Sequence, residues 1–195
     1  SVLVYETTPE IKLPKHVVGL RVRDSRACLS ELLNNFYQHP DEKVNLVGIT
    51  GTNGKTTTGF LLHRLLTEKT KAAYLGTLWY DFLGEKMTAL NTTPASEILL
   101  PILHQLRSQK NPYCVMEVSS HALEQKRVHG LTFDLAIFTQ LSRDHLDYHR
   151  DMEAYFEAKC SLFTGAKRPR KMLINKDCPF GQRLLKNCLL YTSDA

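Results

Sequence analysis

No apolar run in this chain approaches the length needed to cross a bilayer, and no charged leader followed by an apolar segment opens it. Neither a membrane partner nor secretion is therefore expected. C-x-x-C pairs are missing too. The five cysteines, Cys28, Cys114, Cys160, Cys178 and Cys188, are odd in number and scattered, which argues against a disulfide framework or a zinc site and for reduced thiols in a cytoplasmic protein. A net charge of +5 comes without a basic stripe carrying interleaved aromatics. Nucleic acid is thus not an expected partner, and the mild positive balance suits a small anionic substrate. Internal repeats and low-complexity tracts are absent. What is present is ordinary for a globular protein: 195 residues, 43% hydrophobic and 23% charged, enough for one or two domains with a buried core.

The pattern of the chain divides near residue 41. Before it lie two short β-branched runs, "SVLVY" and "HVVGLRV", and an amphipathic helix with apolar Leu29, Leu32, Leu33, Phe36 and Tyr37 at i, i+3, i+4, i+7 and i+8. Asp24 or Ser25 can cap that helix, and Pro40 closes it. Beyond the polar break "HPDEK", strands and helices alternate. Strands are predicted over 44–50, 72–78, 113–118, 133–139 and 171–174, and helices over 56–69, 94–109, 120–128 and 151–163. Apolar strand, helix, apolar strand is the signature of βαβ units, so the fold class is α/β with a mostly parallel sheet and helices on both faces. Pro101 falls inside the second of these helices and should kink it.

The chemistry begins at "GITGTNGKTTT". It follows the apolar strand Leu46 to Ile49 and opens a helix whose predicted buried face is Leu61, Leu62, Leu65 and Leu66. Such a turn lets backbone amides approach phosphate oxygens, while the helix N-terminus adds partial positive charge. Lys55 would reach the β and γ phosphates and the Thr56 hydroxyl would sit at magnesium, although Ile49 stands where the pattern G-x-x-x-x-G-K-[ST] has a glycine. A mere glycine turn has no need of Lys-Thr-Thr after Gly54. A second strand, "YCVMEV", ends in Glu117, placed like the acid that holds magnesium opposite a phosphate loop. Third comes "LSRDHLDYH", where His145 can reach the same edge and His149 reads as a surface or capping histidine; the four-residue spacing alone does not make a zinc site, since no glutamate follows the first histidine.

"GITGTNGKTTT", "NTTP", "MEVSSHALEQKRV" and "LSRDHLDYH" followed by "EAKCSLF" together resemble the Mur ligases, over about Val22 to Leu185. The family's own loop is T-G-T-N-G-K-T, which accounts for Ile49. The resemblance implies an ATP-dependent ligase of peptidoglycan precursor synthesis, a monomer that adds diaminopimelate or lysine to UDP-N-acetylmuramoyl-L-alanyl-D-glutamate through an acyl phosphate. It implies that Gly51, Thr52, Asn53, Gly54, Lys55, Thr56 and Thr57 bind ATP, and that Thr56, Glu117, His145 and Lys159 serve magnesium, with Lys55, Lys159 and His145 catalytic. Asn91, Thr92, Thr93, Ser119, Gln125 and Arg127 would contact the muramoyl-peptide. Asn91 to Thr93 can also cap a helix opened by Pro94, and Arg127 can be an exposed helix arginine. Lys159 would carry a carbamate; without the resemblance it reads as a solvated helix lysine. Gln140 stands where the family commonly has asparagine.

In domain terms, 1–41 corresponds to the end of a small α/β N-terminal UDP-substrate domain plus linker, and 42–195 to the first part of the central ATP-binding domain. On that reading the sheet is incomplete, and an unpaired central strand is expected. Two alternatives use the same residues: another ligase of the superfamily, such as a folylpolyglutamate synthetase, or a nucleotide-binding protein without ligase chemistry.

Overall fold

The computed structural model describes residues 1–8, 10, 12–144, 148–165 and 167–190. Strands β1 (Val2–Tyr5) and β2 (Val18–Arg21) pair in parallel as a small sheet of their own. Helix α1 (Ser25–Phe36) follows, capped by the Asp24 carboxylate, which accepts from the Ala27 amide at 2.8 Å. The alternating region then runs β3 (Asn45–Thr50), α2 (Lys55–Thr67), β4 (Ala72–Leu75), β5 (Tyr80–Phe82), β6 (Glu85–Met87) and α3 (Ser96–Leu106). It continues through β7 (Tyr113–Glu117), α4 (Ser120–Glu124), β8 (Leu135–Phe138), α5 (Met152–Thr164), β9 (Lys171–Ile174) and α6 (Pro179–Leu190).

The main sheet has the order β6-β5-β4-β7-β3-β8-β9. From β4 to β9 it is parallel, and β5 and β6 add an antiparallel hairpin at one edge. The mostly parallel α/β architecture is therefore as expected. The unpaired central strand is not: β3 pairs with β7 and β8, and β7 pairs with β4 and β3. Alternation along β3 sends Leu46 into the large cluster that holds Leu99, Leu103, Phe138, Tyr155 and Phe163, and sends Val47 and Ile49 to the other face with Val115 and Ile137, where Leu62 and Leu66 of α2 cover them. All the parallel strands point their carboxyl ends to one edge. That edge carries the phosphate loop, Glu117 and Thr139.

Several expectations about helix faces need correction. In α1, Leu29, Leu32 and Phe36 are exposed, Phe36 to 76%, while Ser30 and Asn34 are buried. Tertiary hydrogen bonding decides this. The Ser30 hydroxyl donates to the Lys126 carbonyl at 2.6 Å, Ser96 donates to the Arg127 carbonyl at 2.9 Å, and the Asn34 amide reaches the Gly130 carbonyl, so the helix turns its polar side toward a backbone turn that needs donors. In α2, Leu61 and Leu65 are exposed and Gly59 and His63 are buried instead. Its rotation follows from Thr56 facing Glu117, because positions 56, 59, 63 and 66 share one side of a helix.

Element ends differ as well. The strand predicted over 72–78 stops at Leu75, where the chain reverses through a Gly76 to Trp79 turn into the hairpin. The helix predicted over 120–128 stops at Glu124, and Lys126 beyond it takes a left-handed φ of 59°. Ala95 is the N-cap of α3, so Asn91 to Thr93 do not cap it. The same helix runs through Pro101, with Leu99, Leu100, Leu103 and Leu106 fully buried.

Substitutions on the two kinds of apolar position should separate cleanly. Leu103→Ala is expected to lower the free energy of unfolding by about 2–5 kcal/mol, whereas Leu29→Ser and Phe36→Ser should each change it by about 0.5 kcal/mol or less. Urea unfolding followed by circular dichroism measures both.

Candidate nucleotide and metal site

The phosphate loop is a turn whose shape is imposed by the neighbouring strand. Gly51 has φ 146°, and a Cβ there would lie 1.9 Å from the Thr139 hydroxyl oxygen, so only glycine fits. Thr139, just past β8, donates to the Asn53 carbonyl at 2.7 Å. The Thr52 amide donates to the Gln140 carbonyl at 2.8 Å, which makes the backbone of residue 140, rather than its side chain, the contact that matters. The Thr52 hydroxyl oxygen accepts from the Ser142 amide at 3.1 Å and lies 3.3 Å from the Tyr155 hydroxyl. Gly54 has φ 87° and begins α2 without a side-chain cap, so the amides of the first turn face outward beside exposed Asn53 and Thr57, a ready anion cradle.

Two lysines converge beneath this loop. Lys55 donates from Nζ to the Gly51 and Thr52 carbonyls, both at 2.9 Å. Lys159 on α5 donates to the same Gly51 carbonyl at 3.0 Å and lies 4.6 Å from the centre of the Tyr155 ring. It is 1% exposed, which overturns its reading as a solvated helix lysine. Burial lowers the Lys159 ammonium to about 7, helped by the positive charge of Lys55 and opposed by Asp144. Burial also lowers Lys55, opposed by Glu117 and Asp144.

Glu117 is fully buried at the end of β7. Its Oε2 accepts from the Thr56 hydroxyl at 2.9 Å and the Thr77 hydroxyl at 3.1 Å, and its Oε1 from the Tyr74 hydroxyl at 2.5 Å and the Thr77 amide at 3.0 Å. Thr56 and Glu117 thus meet as the motifs require. Hydroxyl and carboxylate oxygens suit a hard divalent cation, and magnesium needs only one or two protein oxygens when phosphates and water complete its shell. Among the described residues no three His, Cys, Asp or Glu side chains form a larger metal cluster. His145 lies outside the described residues. His149, read as a surface or capping histidine, is not at the surface but buried: its Nε2 lies 2.8 Å from the Ser120 hydroxyl, and its ring packs 4.8 Å from that of Tyr155.

The residues expected to contact a muramoyl-peptide form a second network on the same edge. Thr93 is buried and donates to the Glu117 carbonyl at 2.8 Å, while its hydroxyl oxygen accepts from the Ser119 amide at 3.0 Å. Arg127 is half-buried rather than an exposed helix arginine; it donates to the Thr93 carbonyl at 2.7 Å and to the Gln125 side-chain oxygen at 2.6 Å. Thr92 lies 3.1 Å from the Thr77 hydroxyl, and the exposed Asn91 is held through its backbone by the Tyr80 hydroxyl at 2.6 Å. Tyr74, Thr77, Thr139 and Tyr155 escape the motif reading. For Tyr155 a signal existed, since it precedes Lys159 by one helical turn.

Residues 49–190 match the family described as Mur ligase middle domain. The chain belongs to the Mur ligase family. The 2,6-diaminopimelate ligase of UDP-N-acetylmuramoyl-L-alanyl-D-glutamate from Geobacter sulfurreducens is 44% identical over 187 residues, covering 92% of this chain and 37% of that protein. The enzyme of the same name from Clostridium perfringens is 38% identical over 182 residues, covering 91% of the chain and 36% of its own length. A solved structure of such a ligase superposes with a TM-score of 0.81 at 29% identity, over 97% of this chain and 38% of that one. MurF from Acinetobacter baumannii shares the fold alone, with a TM-score of 0.60 at 16% identity, over 97% of this chain and 37% of that one. This Mur ligase chain therefore spans a little over a third of the length of the relatives it matches.

The lowered Lys159 has a sign that can be checked. Its folded value of about 7 lies below the ordinary lysine value, so the cost of the buried charge is full below pH 7 and fades as pH rises from there toward the unfolded value. In buffer free of carbon dioxide, Lys159→Met should raise the thermal midpoint more at pH 6 than at pH 9. Differential scanning calorimetry at the two pH values measures the difference.

Proposed function

We propose that this chain supplies the phosphate- and metal-binding edge of an ATP-dependent carbon–nitrogen ligase acting in the cytoplasm on UDP-N-acetylmuramoyl-L-alanyl-D-glutamate. The relatives above are named for 2,6-diaminopimelate, which favours that amino acid over lysine as the one added. One observation carries the reading: Thr56 at the start of α2 donates to the buried Glu117, beside a lysine-lined phosphate loop and next to the Thr93, Ser119 and Arg127 network. On this reading residues 1–41 end the UDP-substrate domain and 42–195 belong to the central ATP domain.

The chemistry asks for charge neutralisation and positioning. A carboxylate does not react with an amine, so an oxygen of the substrate's D-glutamate carboxylate first takes the γ-phosphoryl group of ATP, and ADP leaves. The amine nitrogen then bonds to the activated carbonyl carbon, loses a proton, and the carbon–oxygen bond to phosphate breaks. Lys55 and the first-turn amides of α2 neutralise the transferring group. Glu117 and Thr56 would hold magnesium, which when bound draws charge from the phosphate oxygens. Arg127 offers a planar guanidinium to the substrate's carboxylate or pyrophosphate, braced by Thr93 and Gln125.

Lys159 fits a carbamate. An amine lowered to about 7 is substantially neutral at physiological pH, so its lone pair can bond to the carbon of carbon dioxide with loss of a nitrogen proton. The product places a negative charge near Lys55, and gives an anionic oxygen where a bare ammonium would repel a cation.

Two variants of the full-length protein test the reading. Lys55→Ala should lower turnover roughly a hundredfold or more, and near-normal formation of UDP-muramoyl-tripeptide would refute it. Lys159→Ala should lose most activity and regain part of it with added short carboxylic acids; a mass spectrum showing a bare amine in active protein, with no such rescue, would refute the carbamate.

A further inference from the structure

The two oxygens of Glu117 are not equivalent. Among the described residues, Oε2 meets hydroxyls that can turn, those of Thr56 at the start of α2 and of Thr77. Oε1 receives two fixed donors, the Tyr74 hydroxyl at 2.5 Å and the Thr77 amide at 3.0 Å. A carboxylate oxygen has two lone-pair directions, so Oε1 is fully occupied by protein. Neither donor can swing aside easily. One is backbone, and the other sits on a ring with no solvent exposure that packs against His63 and Trp79.

Two glycines make room for this contact. A Cβ at Gly59 of α2 would stand 3.1 Å from the Tyr74 ring, and one at Gly76 would stand 2.3 Å from both the Tyr74 hydroxyl and Oε1. A phenol is protonated near neutral pH in any case, so the Tyr74 hydroxyl is a donor across the physiological range.

We propose that Tyr74 is a specificity-determining residue: by holding Oε1 it restricts Glu117 to binding a cation through Oε2 alone, and so favours magnesium over calcium. This deepens the reading above and rests on its assignment of Thr56 and Glu117 to the metal. Magnesium demands a small octahedral shell, whereas calcium has a larger, flexible shell that readily takes both oxygens of one carboxylate. A carboxylate with one oxygen already filled disfavours the calcium mode and leaves the magnesium mode intact. Nothing in the Thr56 and Glu117 pair by itself makes that distinction.

The test is ADP binding to the full-length protein by isothermal titration calorimetry, with magnesium, with calcium, and with chelator alone. The unsubstituted protein should bind ADP more tightly with magnesium than with calcium. In Tyr74→Phe the ratio of the two affinities should fall on the order of tenfold, chiefly through a gain with calcium. Tyr74→Met also lacks the hydroxyl and replaces the phenylalanine variant should that one fail to fold. An unchanged ratio in a folded variant, or an equal loss with both cations, overturns the proposal. An unsubstituted protein whose ADP affinity ignores both cations overturns instead the metal assignment beneath it.

Discussion

A carboxylate with no access to water must be given hydrogen-bond donors, and much of this site's shape follows from meeting that demand at Glu117. The donors come from separate pieces of chain: Thr56 from α2, Tyr74 from β4, Thr77 from the turn beyond it. Each contact fixes one element relative to β7. The rotation of α2, the early end of β4 and the close approach at Gly59 and Gly76 are consequences of a single buried charge met by neutral partners.

The phosphate loop depends on a second set of contacts, made with the segment after β8. Thr139, Gln140 and Ser142 hold Gly51 to Asn53 from the side, while Lys55 and Lys159 meet at the Gly51 carbonyl from below. Two ammonium groups at one carbonyl, one of them fully buried, oppose each other. Burial lowers both lysines, and for Lys159 the positive charge of Lys55 adds to it.

What could be read from sequence was whatever is contiguous in the chain. The phosphate loop, Glu117 at its strand end and the Thr93, Ser119 and Arg127 cluster sit in short motifs, and the alternation of strands and helices carried the architecture. The failures have one physical origin. Hydrophobic periodicity assumes that apolar residues turn inward, but α1 turns in Ser30 and Asn34 because carbonyls at 126, 127 and 130 need donors, and α2 turns in Gly59 and His63 because Thr56 must reach Glu117. Reading Lys159 without the resemblance as a solvated helix lysine, and His149 as a surface histidine, fails for the same reason. Their burial comes from partners 29 to 108 residues away, at Ser120 and Gly51, which no local window contains.

Among the described residues, the hairpin of β5 and β6 gives the main sheet two unlike borders. On that side the chain has doubled back, and the outermost strand shows Glu85 and Lys86 to solvent, a charged selvedge that discourages any further strand from joining. At β9 the border is parallel, with Leu173 exposed between half-buried Met172 and Ile174. Widening of the sheet, by its own chain or by an unwanted neighbour, is thereby directed to one side, away from the hairpin and toward the strand beyond Thr139.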